Sequence, residues 1–276
     1  AKDGGRANET DAGLRGQGRN GGGHGGFGSR SREGRLAPRI AHHYPVGMSK
    51  QPPPMDPAYV RAHYDGFFAD PAVDYAYDRW ERTPESKYHF AQSRRAFERA
   101  VASLHVENAL EVGCGDGVWT RLFAPHVQRL TCLDLSKEML QRAQAKLASL
   151  PTPIVFRQGD FLENGLPAAS FDAVLAFRCF EYFADPQAGL REFFRLLRPG
   201  GTLVLATKSR HFDWRGYFSK RPLHQGVADI PALRDALERA GFAVKEVYPA
   251  IVGKGLAHPF GRWIGDRLQA FLTFAR

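Results

Sequence analysis

Apolar positions in this chain follow two alternating periods, strand-like and helix-like, through most of its length. The chain turns aromatic near Asp56, and Phe90, Phe97, Val101 and Leu104 then share one face, which predicts a helix over 90–104. Asn108 to Val112 reads as a buried strand, followed by a glycine turn, a helix beginning over Val118 to Ala124, and a second strand from Arg129 to Leu135. Ser136 is placed to cap the next helix, in which Leu140, Ala143 and Leu147 keep helical spacing until Pro151. Ile154 to Arg157, Phe171 to Phe177 and Gly201 to Thr207 supply three more strands. Asp185 and Pro186 start the helix between the last two, Leu190, Phe193, Phe194 and Leu197 form its stripe, and Pro199-Gly200-Gly201 stops it. A helix from Pro231 to Ala240, closed by Gly241, leads to a sixth strand from Ala243 to Tyr248. The aromatic and β-branched residues of the final LQAFLTFAR favour a closing strand over a helix.

Strands separated by helices need crossover connections, which build a parallel sheet covered on both faces. The fold class is therefore α/β, doubly wound. No repeat of 20–50 residues is visible in the sequence, which argues against a solenoid.

Composition changes that picture only at the N-terminus. Of 276 residues, 43% are hydrophobic, enough for a substantial core, but residues 1–50 hold 13 of the 29 glycines and show no apolar periodicity. Their nine Lys/Arg against four Asp/Glu account for +5 of the formal +9 charge. Residues 1–55 are expected to be a disordered Gly/Arg-rich tail. Met48 and Met55, where composition turns globular, raise the possibility of an internal start. The remaining charge is ordinary for solubility, so nucleic acid is a disfavoured partner. The alternative is an RNA-associated protein gripping nucleic acid with this tail and a basic loop at 208–221. No signal peptide and no run of 18 apolar residues is evident, and a soluble cytoplasmic protein is expected. Cys114, Cys132 and Cys179 are far apart and form no CxxC pair, so neither a disulfide framework nor a metal is indicated.

The chemistry begins at LEVGCGDG, residues 110–117. A dinucleotide fingerprint needs GxGxxG, but Gly113, Gly115 and Gly117 give GxGxG, and no GKS or GKT follows for a P-loop. Glu111 at the mouth of the turn would repel a phosphate and favour a cationic centre. Asp134 closes the second strand 21 positions after Gly113, where a carboxylate accepts both hydroxyls of a ribose. A glycine-lined turn, a ribose acceptor and a preference for positive charge describe S-adenosylmethionine.

With LDLS at 133–136, QGDF at 158–161, FDAVLAFRCFEYFADP at 171–186 and LRPGGTLVLAT at 197–207, the sequence resembles a class I S-adenosylmethionine-dependent methyltransferase of the small-molecule type. The resemblance covers Tyr64 to the C-terminus. It implies a Rossmann-like, seven-stranded, mostly parallel sheet whose last strand is antiparallel, with a lid and helix over 56–105 and a core over 106–276. It also implies cofactor-binding roles: Glu111, Gly113 and Gly115 beside the methionine moiety, Asp134 on the ribose, Leu135 against the adenine, Asp160 on the adenine amine with Phe161 beside it, and Phe177 and Arg178 closing the pocket.

Methyl transfer is a direct displacement that chiefly requires alignment, so a general base is optional. Glu181 and Tyr182, after the fourth strand, and His89, in the lid segment, are the candidate catalytic residues. FRCF stands where nucleic-acid amino-methylating enzymes carry NPPY-like tetrads and catechol-type enzymes carry metal-binding acids, which disfavours both subclasses. Five of nine tyrosines and Trp80 fall within 59–88, the expected lid. The 208–221 loop mixes Lys208, Arg210, Arg215, Lys220 and Arg221 with four aromatics, which suits an anionic or amphipathic small-molecule acceptor.

Overall fold

The computed structural model describes residues 56–68, 70, 72–208, 229–249 and 270–275. The expected tail and all but the first position of the 208–221 loop lie outside the described residues.

Strand β1 (Val106–Val112) ends in four consecutive buried residues, the mark of a strand covered on both faces. It is flanked by β2 (Val127–Asp134) and β4 (Phe171–Phe177), with β3 (Ile154–Gln158) outside β2 and β5 (Leu197–Ala206) outside β4. The last two strands, β6 (Ala243–Pro249) and β7 (Ala270–Ala275), complete the sheet in the order β3-β2-β1-β4-β5-β7-β6. Parallel pairing is confined to β1 through β5. Strand β7 is antiparallel to both β5 and β6, so β6 has no parallel partner and meets the block only through β7. The expected seven-stranded sheet with an antiparallel last strand is thus present, with its parallel ladders limited to the five strands β1 to β5.

Helix starts follow side-chain caps. Helix α1 (Pro57–Phe68) is followed by a π-helical turn at Tyr77–Glu81 and by α2 (Pro84–Val101). Thr83 accepts the Ser86 N–H at 3.0 Å and Pro84 presets the first turn, so α2 begins six residues before the apolar stripe that predicted it. The expected helix at 118–124 shrinks to α3 (Thr120–Phe123), because Pro125 diverts the chain into a 3₁₀ turn. Ser136 caps α4 (Lys137–Leu147), Asp185 caps α5 (Pro186–Leu196) and Asp229 caps α6 (Ile230–Arg239), each such cap contributing about 1 kcal/mol. Pro199-Gly200-Gly201 does not form a loop after α5. It lies inside β5, where pairing jumps from Phe171 with Leu197 to Ala173 with Thr202, a bulge that Gly200 at φ +79° accommodates.

Two cores sandwich the sheet. Phe97, Trp119 and Phe123 fill one side with Ala109 and Leu175, while Leu190, Phe193 and Leu237 fill the other with Leu110 and Val174. The N-terminal segment is anchored to α4: Ser136 Oγ donates to Asp65 at 2.5 Å, and Arg142 donates to the carbonyls of Val73 at 2.5 Å and Asp70 at 3.1 Å. Among the described residues no helix is long and apolar enough to cross a membrane.

Candidate active site

Strand order reverses between β1 and β4, and in open α/β sheets ligands bind at the carboxyl ends of the strands flanking such a point. Here β1 runs into the glycine turn. Gly113 has φ +69°, and a Cβ on it would lie 2.4 Å from Cys179 Cβ, so the close approach of β4 excludes any side chain. Gly115 also has positive φ, but a Cβ there would meet nothing within 4 Å. That open space beside bare backbone is where a ligand can approach the turn.

Asp134, at the end of β2, holds the turn in place. Its Oδ2 accepts the Gly115 N–H at 2.8 Å and its Oδ1 accepts the Ser136 N–H at 2.9 Å. Each oxygen keeps acceptor capacity for a further donor. Burial raises the Asp134 carboxyl above its ordinary value, opposed by these two N–H donors.

A cleft of about 380 Å³ opens above the turn. Gly113, Gly115, Asp134 and Leu135 line it from β1 and β2, and Asp160 and Phe161 from the turn after β3. Asp160 accepts the Leu162 N–H at 2.9 Å, and Phe161 stacks with Phe183 at 5.4 Å between ring centres. Phe177, Arg178 and Tyr182 line it from the end of β4.

Three expected residues do not line the cleft. Glu111 is 1% exposed, and burial pushes its carboxyl up to about 8 despite the neighbouring Thr120 hydroxyl and Cys132 thiol. Strand alternation turns it beneath the turn, on the opposite face from Val112, where burial favours its protonated form and it does not face the cleft as expected. Glu181 is fully buried, accepting from Arg178 Nε at 2.9 Å and Thr207 Oγ1 at 3.3 Å. It holds Arg178, a non-glycine residue at φ +60° whose backbone strain marks the end of β4. His89 sits on α2, its ring 6.0 Å from that of Tyr88.

The opposite wall comes from the N-terminal segment. Helix α1 supplies His63 and Tyr64, and the turn before α2 supplies Tyr75, Arg79 and Trp80. Tyr64 Oη donates to Tyr182 Oη at 3.2 Å, with the rings edge to face at 6.2 Å. Burial raises all three phenols, Tyr75 to about 12, so they are neutral hydrogen-bond donors at physiological pH. Burial alone would weaken the Arg79 charge, yet Tyr75, Tyr182, Tyr64 and Glu181 together hold its guanidinium above its usual value. Its guanidinium carbon sits 5.0 Å from the Trp80 ring centre. Partial burial keeps His63 below the ordinary histidine value. Sequence reasoning marked this segment as a lid from its tyrosines but did not single out Tyr64, Tyr75 or Arg79. The available signal was the four-residue spacing from Tyr75 to Arg79, one helical turn.

The comparisons with known proteins agree with this geometry. Residues 110–205 match the methyltransferase domain family. Over that span the chain is similar to the S-adenosylmethionine-dependent methyltransferases. Among individual relatives, a probable S-adenosylmethionine-dependent methyltransferase of Mycolicibacterium smegmatis is 29% identical over 67% of this chain and 71% of its own. A malonyl-[acyl-carrier protein] O-methyltransferase of Paenibacillus is 36% identical, over 44% of this chain and 43% of its own. The N-methyltransferase NodS of Bradyrhizobium japonicum, solved with S-adenosylhomocysteine, shares the fold with a TM-score of 0.56 at 20% identity, covering 77% of this chain and 98% of that one.

The cleft fits the family's cofactor on its own terms. Gly115 offers unobstructed backbone, Asp134 offers a doubly anchored carboxylate, and Leu133 and Leu135 offer an apolar surface between them and Asp160.

Proposed function

We propose that this chain transfers a methyl group from S-adenosylmethionine to a small-molecule acceptor by direct displacement. The observation that carries this reading is that the glycine-turn end and the tyrosine–arginine end belong to one cleft of about 380 Å³. A cleft bounded on both sides suits a small acceptor aligned against a donor.

In this reading Asp134 accepts the two ribose hydroxyls, and the backbone at Gly113 and Gly115 borders the methionine portion. Leu135 packs on the adenine, Asp160 takes its amine with Phe161 alongside, and Phe177 with Arg178 closes the pocket. The cofactor supplies a methyl group already activated by its positive sulfur. The bond from that carbon to sulfur breaks as the bond to the acceptor forms, and the electron pair stays on sulfur.

The chain's own contribution is alignment and exclusion of water, which in favourable cases is worth an effective molarity of ~10⁵–10⁸ M. Tyr182 faces the acceptor side of the cleft, and Glu181 fixes Arg178 behind it. His63, kept below its ordinary value by partial burial, is a neutral base on the lid side for an acceptor that must lose a proton.

Labelled methyl transfer from S-adenosylmethionine into fractionated metabolites tests the reading, alongside calorimetric binding of S-adenosylhomocysteine. Transfer into a low-mass fraction that Asp134→Ala abolishes is the expected result. Absence of S-adenosylhomocysteine binding to the native chain overturns it.

A further inference from the structure

Arg79 is a charge the proposed transfer does not use. It lines the cleft, and among the described residues it makes no ion pair with a carboxylate. Of the other charged residues that line the cleft, Asp116 pairs with Lys146 and Arg178 with Glu181. A guanidinium in the cleft wall with no carboxylate in ion-pair contact among the described residues can turn its fork of donors to a ligand.

Its surroundings specify the ligand. Tyr64, Tyr75 and Tyr182 line the same cleft as Arg79, and Glu181, a carboxylate that also acts on it, is fully buried and already bonded to Arg178 and Thr207. A guanidinium offers a planar fork of donors and each phenol one O–H, that of Tyr64 passing to Tyr182 Oη, so the set matches a planar oxyanion of one charge. A phosphate dianion would call for a second cation, but Arg178 is already bonded to Glu181. Arg79, Tyr64 and Tyr75 belong to the N-terminal wall of the cleft and Tyr182 to the turn after β4, whereas Gly113, Gly115 and Asp134 belong to the sheet wall. The subsite therefore belongs to the acceptor half of the cleft. Val60, Trp80 and Met139 add apolar wall next to it.

We propose that Arg79, with Tyr64, Tyr75 and Tyr182, binds a carboxylate borne by the methyl acceptor, so that the acceptor is an amphipathic carboxylic acid. This rests on the methyltransferase reading above and narrows its substrate class. The carboxylate is an address by which the acceptor is held; the atom that receives the methyl is set by what lies beyond it.

The test uses the full chain saturated with S-adenosylhomocysteine and probed with octanoate, 1-octanol and octylamine, three ligands of equal chain length and different head group. Octanoate is expected to raise the thermal midpoint of the native chain more than the other two, and Arg79→Gln is expected to weaken octanoate binding by about tenfold or more. Arg79→Lys, which keeps the charge but loses the fork, should fall between them. S-adenosylhomocysteine affinity of both variants should stay within about twofold of the native value, which also reports that they fold. Octanoate binding no better than octanol, or unaltered by Arg79→Gln, overturns the proposal. So does a loss of S-adenosylhomocysteine affinity in Arg79→Gln, because Arg79 would then serve the cofactor. Failure of the native chain to bind S-adenosylhomocysteine at all overturns instead the methyltransferase reading beneath it.

Discussion

The two walls of the cleft are built by opposite strategies. The sheet side consists of short contiguous stretches at strand ends, with Gly113 to Asp116 after β1, Asp134 to Ser136 at the end of β2 and Asp160 to Phe161 after β3, and it is acidic. The N-terminal side is gathered from α1, a π-helical turn and a distant residue after β4, and it carries phenols and a guanidinium. Backbone geometry shapes the first wall, through glycines and N–H groups bonded to Asp134. Side chains shape the second. A strand end fixes a ligand contact through the hydrogen-bonded ladder beneath it, whereas a wall of long side chains can change with few effects on the fold.

The largest effect should come from breaking the backbone side. Gly113→Ala adds a Cβ 2.4 Å from Cys179 Cβ at φ +69°, and should cost roughly 3 kcal/mol of stability in chemical denaturation. Gly115→Ala, with positive φ but open space, should cost only about 1 kcal/mol while still weakening S-adenosylhomocysteine binding. Equal losses in the two variants would contradict the distinction drawn between a packing glycine and a ligand-facing one.

Next in size, Asp134→Ala should reduce S-adenosylhomocysteine affinity about 100-fold by calorimetry, two charge-assisted hydrogen bonds at ~1.5–3 kcal/mol each being the upper bound. A change under fivefold would remove Asp134 from the cofactor role.

Glu111 sharpens the contrast from beneath the turn. Its carboxyl titrates near an ordinary 4.5 when unfolded and near 8 when folded, so between those values the folded state holds more protons. Stability should therefore fall as pH rises through that window, by up to ~1.4 kcal/mol per pH unit. Glu111→Gln should flatten the slope and make the protein more stable than the native chain at pH 8, read by denaturant midpoints across the range. An unchanged slope would mean that Glu111 is not the group responsible.

On the side-chain wall, Tyr64→Phe removes one hydroxyl contact with Tyr182 and should cost only about 1 kcal/mol. Acceptor KM should rise a few fold with S-adenosylhomocysteine affinity unchanged. A matching loss of cofactor affinity would erase the division between the walls.

This division also explains what the sequence disclosed. Strand periodicity and GxGxG spacing located the turn, and Asp134 followed from its position at the end of β2, because each depends on neighbours within a few residues. Glu111 was misjudged because being next to Val112 in sequence places it on the opposite face of the strand, where burial neutralises it. Arg79 escaped notice because its meaning depends on Tyr182, more than one hundred residues away, which no linear pattern displays. Leu197 fits the helical stripe and Pro199-Gly200-Gly201 its stop, since proline and glycines signal a break in either case; only the pairing with β4 shows the span as a bulge within a strand.

Ser136 has a consequence for the order of events. Its N–H bonds Asp134, its hydroxyl caps α4 by accepting from Met139, and the same hydroxyl donates to Asp65 on α1. One residue thus joins the Asp134 carboxylate to the N-terminal wall. Thermodynamic reciprocity then requires that any ligand which binds the seated wall more tightly also strengthens binding at Asp134, and the reverse to the same degree. Such coupling lets each ligand prepare the cleft for the other, to the same degree whichever arrives first.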